Sequence, residues 1–116
     1  MNISLKRAYE PAAKSDGMRV LVDRLWPRGV TKLAARIDHW VKEVAPSTEL
    51  RQWFAHDPEK WAEFQKRYRA ELKDNPALPE LKALASGEGH LTLVYAAKDE
   101  QYNDAVVLKQ VLYDGV

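Results

Sequence analysis

Two nearly unbroken apolar runs dominate the hydropathy pattern. Val20-Leu21-Val22 lies between Arg19 and Asp23, and Leu91 to Ala97 is interrupted only by Thr92. Short continuous runs of β-prone residues mark strands buried on both faces, so Arg19 to Asp23 and His90 to Ala97 are predicted as strands of a mostly parallel sheet. Ile3 to Tyr9 predicts a further strand at the start of the chain, stopped by Pro11. Residues 11–17 read as a turn-rich loop ending in the turn dipeptide Asp16-Gly17. So short a connection predicts a hairpin, or at least close neighbours, for the first two strands.

Elsewhere the apolar spacing is helical. Thr31 is placed to cap a short helix reaching about Arg36. Ile37, Trp40, Val41 and Val44 fit helical spacing, yet the segment is rich in β-formers and ends at Ala45-Pro46, so 37–44 is read as a third strand. Ser47 is an N-cap with Glu49 in the favourable first turn, followed by the stripe Leu50, Trp53, Phe54. Asp57-Pro58 pairs a carboxylate cap with proline at the first helical position. Trp61, Phe64, Tyr68 and Leu72 then follow at helical spacing to about Lys73. Pro76 and Pro79 bracket a break, after which Leu78, Leu81 and Leu84 predict a helix stopped at Gly87. Asn103 caps a last helix with the face Ala105, Leu108, Val111, Leu112, ended by Gly115. This order predicts the α/β class: one layered domain over residues 1–116, a small, mostly parallel sheet flanked by helices.

Composition narrows the function classes. Eighteen basic and 17 acidic residues leave a net charge of +1, so any basic site is local and broad binding to a nucleic-acid backbone is disfavoured. The chain has no cysteine, which excludes disulfides, thiolate catalysis and zinc–thiolate sites and fits a cytoplasmic protein. Met1 to Lys6 lacks an apolar signal core and no run is long enough to span a bilayer, so no membrane contact is expected. Glycine-rich dinucleotide, P-loop and hydrolase-elbow motifs are absent, so those readings lack support and the cofactor is left unknown. His39, His56 and His90 share no metal-ligand spacing, and no metal is assigned. Helix faces rich in Trp and Tyr serve a dimer interface as readily as a core, which leaves the oligomeric state open.

The candidate chemistry clusters where the inner strands end. Asp23, Arg24, Trp26 and Arg28 follow one apolar run, with Pro27 and Gly29 turning the chain. Ligands of open α/β sheets bind outside these carboxyl ends. Guanidinium forks bind carboxylate or phosphate bidentately, so Arg24 and Arg28 point to an anion. Trp26 is either a stacking surface or a core residue. Asp23 either orients the arginines or acts as a general base or metal ligand. Lys98, Asp99 and Asn103 follow the other run and precede a helix whose N-terminus favours an anion, although Asn103 also reads as a simple cap. His56 is an acid–base candidate or a helix terminator.

The run Arg19 to Gly29, with Ser4-Leu5-Lys6-Arg7, Ala45-Pro46-Ser47, Leu50-Arg51, Trp53-Phe54, His56-Asp57-Pro58, Leu93 to Asp99 and Asn103, resembles the YeaO-like branch of the domain-of-unknown-function family 488. The resemblance covers nearly the whole chain. It implies a small bacterial α/β domain and transfers no catalytic residue. Other branches are similar at the Val-Asp-Arg strand end and carry a Cys and a Glu, then a Cys-His-Arg run, near the last strand. Here that region reads Tyr95-Ala96-Ala97-Lys98-Asp99, then Tyr102-Asn103-Asp104.

Three functional readings follow. The first is a binding domain or enzyme for a small phosphate- or carboxylate-bearing molecule, a nucleotide among them. In it Arg24 and Arg28 hold the anion, Trp26 or Tyr95 stacks, Asp23, Lys98, Asp99 and His56 are the catalytic candidates, and Arg7 and Asn103 line the site. The second is a nucleic-acid or protein interaction module using the same Arg/Trp surface. The third is a magnesium-dependent hydrolase on Asp23 and Asp99, which requires the two carboxylates to converge.

Overall fold

A computed structural model describes residues 2–87 and 89–115. Four strands form one sheet: β1 (Asn2–Arg7), β2 (Met18–Leu21), β3 (His39–Trp40) and β4 (His90–Tyr95). Their spatial order is β1-β4-β2-β3 and every pairing is parallel. β4 is central, with Leu93 opposite Leu5 on one side and Val20 on the other. Among the described residues the α-helices are α1 (Lys32–Ala35), α2 (Thr48–Phe54), α3 (Trp61–Lys73), α4 (Ala77–Ala85) and α5 (Asp104–Asp114). The chain is therefore an α/β domain with a small parallel sheet. Among the described residues, no helix is long and apolar enough to cross a membrane.

The expected hairpin is absent, because β4 lies between β1 and β2. The connection runs back across the sheet, through a 3-10 turn at Lys14–Asp16. Asp16 anchors it. Its carboxylate accepts from Lys6 Nζ, from Arg19 Nη1 at 2.7 Å and from the Ala13 amide. Burial pushes the Asp16 pKa up, but these donors outweigh it and hold the group below its ordinary value. Thr92 of β4 donates to the Asp16 carbonyl at 2.7 Å, which ties the crossing loop to the central strand.

Alternation along the strands builds two layers. Ile3, Leu5, Val20, Leu91, Leu93 and Tyr95 face the main core, which holds Phe54, Phe64, Tyr68, Leu72, Leu81, Leu108 and Val111 of the helices. Leu21 and Val94 face the opposite side, where Ala8, Trp26 and Ile37 cover them. Tyr68 is fully buried, and its hydroxyl donates to the Val44 carbonyl at 2.7 Å.

Several boundaries differ from the sequence pattern. β2 ends at Leu21 rather than Asp23, although the Val22 amide still donates to the Val94 carbonyl at 3.2 Å. The third strand shrinks to His39–Trp40, because a 3-10 turn at Lys42–Val44 follows at once. Pro79 lies inside the first turn of α4, where a missing N–H costs nothing. α4 caps at Ser86 in right-handed geometry, one residue before Gly87. The caps at Thr31, Ser47, Asp57 and Asn103 are formed as the residue types suggest, each side chain accepting a backbone amide two or three residues on.

Candidate functional site

β2 and β4 are neighbours, and their chains leave the sheet towards opposite faces. After β2 the chain passes to Trp26 and the smaller layer; after β4 it passes to α5 and the main core. A crevice opens between strands that part in this way. It holds a cavity of about 1020 Å³, large enough for a small-molecule ligand.

The loop after β2 supplies Asp23, Arg24, Trp26 and Arg28 to this cavity. The segment after β4 supplies Lys98, Asp99, Asn103 and Asp104. α2 contributes Arg51, Gln52 and Phe54, with His56 just beyond it. Ala55 and His56 take left-handed backbone (φ 47 and 57) as α2 ends, which leaves the His56 side chain exposed at the lip. Phe54 stacks on Phe64 at 4.2 Å, and Tyr102 packs against Trp61 at 5.3 Å, making an aromatic wall.

Arg24 is the most embedded of the cations. Nη2 donates to the carbonyls of Ala45 and Pro46 at 3.3 and 3.5 Å, and Nη1 lies 3.7 Å from the exposed Glu43 carboxylate. Its Nε is buried without a hydrogen-bond partner among the described residues. Arg28, Arg51 and Lys98 line the cavity and form no side-chain ion pair within 4.0 Å among the described residues. Cations that line a shared hollow without an ion-pair partner can meet a ligand anion.

The carboxylates have distinct environments. Asp23 Oδ2 accepts the Ala96 amide at 2.8 Å, and burial raises its pKa against the pull of that amide and of Arg51. Asp104 is pushed up to about 8, first by burial and then by the charge on Asp23. The amides at the start of α5 and the Arg51 guanidinium oppose this rise without cancelling it. Asp99 is the opposite case: its Oδ1 accepts the amides of Tyr102 and Gln101, which hold its pKa below the ordinary value, helped by nearby His56.

The remaining predicted residues are placed less openly. Trp26 is half-buried, donates Nε1–H to the Val30 carbonyl at 2.6 Å and meets Trp40 edge-on at 5.6 Å, so only part of its ring reaches the cavity. Asn103 is buried as the α5 cap, and its Nδ2 donates to the Asp99 carbonyl at 2.8 Å. Tyr95 lies in the main core, away from the cavity wall. Arg7 is also off the wall: its Nε donates to the Ala97 carbonyl at 2.9 Å and its guanidinium sits over the Tyr9 ring. Among the described residues, no group of three or more His, Asp or Glu side chains is positioned to hold a metal ion.

Arg51, Gln52 and Asp104 were not singled out by the sequence pattern. Arg51 stands three residues before buried Phe54, which puts both on one helix face. That spacing was the available signal. Asp104 directly follows the Asn103 cap and reads as an ordinary first-turn acid.

The pattern of one family spans residues 2–116: DUF488-N3i, described as the inactive DUF488-N3 subclade. The chain belongs to this family. Among its relatives, the Escherichia coli K12 protein named "Uncharacterized protein YeaO" is 46% identical over 108 residues, covering 93% of this chain and 94% of that one. "Uncharacterized protein Rv3073c" of Mycobacterium tuberculosis H37Rv is 46% identical over 110 residues, covering 95% and 92% of the two chains. "Uncharacterized protein Mb3100c" of Mycobacterium bovis is similar to the same extent. No solved structure matches the chain.

Proposed function

We propose that the chain binds a small anionic molecule, phosphate- or carboxylate-bearing and of nucleotide size or smaller, in the crevice between the ends of β2 and β4. The observation that carries the reading is that Arg24, Arg28, Arg51 and Lys98 all line one cavity while three of them lack any ion-pair partner among the described residues. Phe54 and Tyr102 supply apolar surface for the rest of the ligand. The description of the family as inactive supports binding without turnover. So does the replacement, in this cysteine-free chain, of the Cys and Cys-His-Arg groups that similar branches carry.

Thermal shift with inorganic phosphate, AMP and glucose 6-phosphate tests it. A ligand at about 100 times its Kd adds roughly 2.7 kcal/mol of stability. A shift in the wild type that disappears in Arg28→Ala supports the reading. No shift with any of the three, at millimolar concentration, rejects it.

A further inference from the structure

Anion binding accounts for only half of the cavity wall. Beside the four cations stand three carboxylates: Asp23, Asp99 and Asp104. Asp99 is engaged by two amides of its own turn. Asp23 and Asp104 are half-buried, whereas Arg28 and Lys98 are exposed. The acids therefore lie deeper than the free cations. Neither forms an ion pair within 4.0 Å among the described residues. An anion entering alone meets repulsion from the Asp23 charge, which also acts on Asp104. A cationic nitrogen placed there relieves it, because an opposite charge favours the ionised carboxylate.

We propose that the ligand is a zwitterion whose phosphate or carboxylate end is held by Arg24, Arg28 and Lys98 and whose protonated nitrogen is held by Asp23 and Asp104. This rests on the anion-binding reading above and narrows it. The groups whose charge or titration is coupled to the acid pair come from two flanking elements: Arg51 from α2 and the buried Tyr68 from α3. Arg51 attracts both acids without closing on either. An ammonium carries three donors and can bridge the two carboxylates. Its arrival ionises the Asp104 carboxyl, whose pKa of about 8 keeps it protonated at neutral pH. The proton that Asp104 gives up passes to the buffer, and the ammonium keeps its own.

Calorimetric titration of the full chain at pH 7.5 with O-phosphoethanolamine and with ethyl phosphate tests this, in two buffers of different ionisation heat. The expected result is binding of O-phosphoethanolamine at least about tenfold tighter, with a heat that depends on the buffer. Asp104→Asn removes both the preference and the buffer dependence. Asp23→Asn gives the same loss of preference and serves where the first variant fails to fold. β-Alanine against propionate, run identically, shows whether the anionic end is a carboxylate. Equal affinity within each pair overturns the zwitterion and leaves the anion site standing. Absence of binding by all four overturns both.

Discussion

The Asp23 carboxylate accepts the Ala96 amide at 2.8 Å, joining the exit of β2 to the exit of β4. This bond lies beyond the last ladder pairing of the two strands, Leu21 with Val94. It holds together the two segments that carry Arg24 and Arg28 on one side and Lys98 and Asp99 on the other. Asp23→Ala leaves that amide without its acceptor, whereas Asp23→Asn keeps an oxygen in place. The half-buried Ala96 amide, left unsatisfied, costs about 1 kcal/mol, the low end of the range for buried groups. Urea unfolding at pH 7 should therefore find the alanine variant less stable than the asparagine variant by about that amount. Equal stability of the two would remove the bond from the account.

Asp104 makes stability fall as pH rises. Its pKa in the folded chain, about 8, lies above the ordinary value of 3.8. Between those limits the folded chain holds a proton that the unfolded chain has released, so the contribution is complete below about pH 4 and is lost by about pH 8. One proton limits the slope to ~1.4 kcal/mol per pH unit. Asp23, also raised, acts in the same direction. Asp16 acts oppositely, since its lowered pKa contributes stability that is lost only below about pH 4. Chemical denaturation from pH 5 to pH 9 should show the decline in wild type and a shallower one in Asp104→Asn. A variant less stable than wild type at pH 9 would contradict the assignment.

Local chemistry was legible in the sequence, and long-range order was not. The caps at Thr31, Ser47 and Asn103 are formed by residues within three positions of the amides they bind, so the residue type and the following apolar stripe sufficed. β2 and β4 announced themselves because a strand covered on both faces has no polar alternation. Nothing local to residues 3–23 tells that β4, about 70 residues on, enters between β1 and β2. The hairpin expectation failed for that reason. In the candidate site, the residues after β2 and β4 named from the sequence share one cavity because parallel neighbours release their chains at the same end of the sheet. Arg51 and Asp104 escaped because α2 and α5 bring them there through tertiary packing. Tyr95 reads as a stacking group from its place at the end of an apolar run, whereas strand alternation turns its ring into the main core.

Gly17 is fixed by the crossing loop. Its φ is +66°, and a Cβ built there stands 2.0 Å from the His90 carbonyl oxygen at the start of β4. That oxygen belongs to backbone in the central strand, and the His90 ring is itself held by Ser4 Oγ and the Ser15 carbonyl. Neither partner can retreat cheaply. Left-handed strain alone costs on the order of 1–3 kcal/mol, and the overlap adds to it. Gly17→Ala should fall by more than about 3 kcal/mol in denaturant unfolding, or yield no folded protein. A loss under 1 kcal/mol, by the same scale, would mean that the loop crosses β4 elsewhere.

Arg24 and Arg28 separate fold from ligand. Arg28 is exposed and unpaired among the described residues, so Arg28→Ala should change apo stability by less than about 0.5 kcal/mol. Arg24 donates to the Ala45 and Pro46 carbonyls, which hold the segment before α2, so Arg24→Ala should cost about 1 kcal/mol. Both variants should lose the stabilisation conferred by whichever phosphate-bearing compound shifts the wild type. The informative quantity is the difference between them. Arg28→Ala is expected to bind poorly while folding normally, a combination that packing loss does not produce. An apo loss in Arg28→Ala as large as in Arg24→Ala would make Arg28 part of the scaffold, and the anion would then have to be held by Lys98 and Arg51 alone.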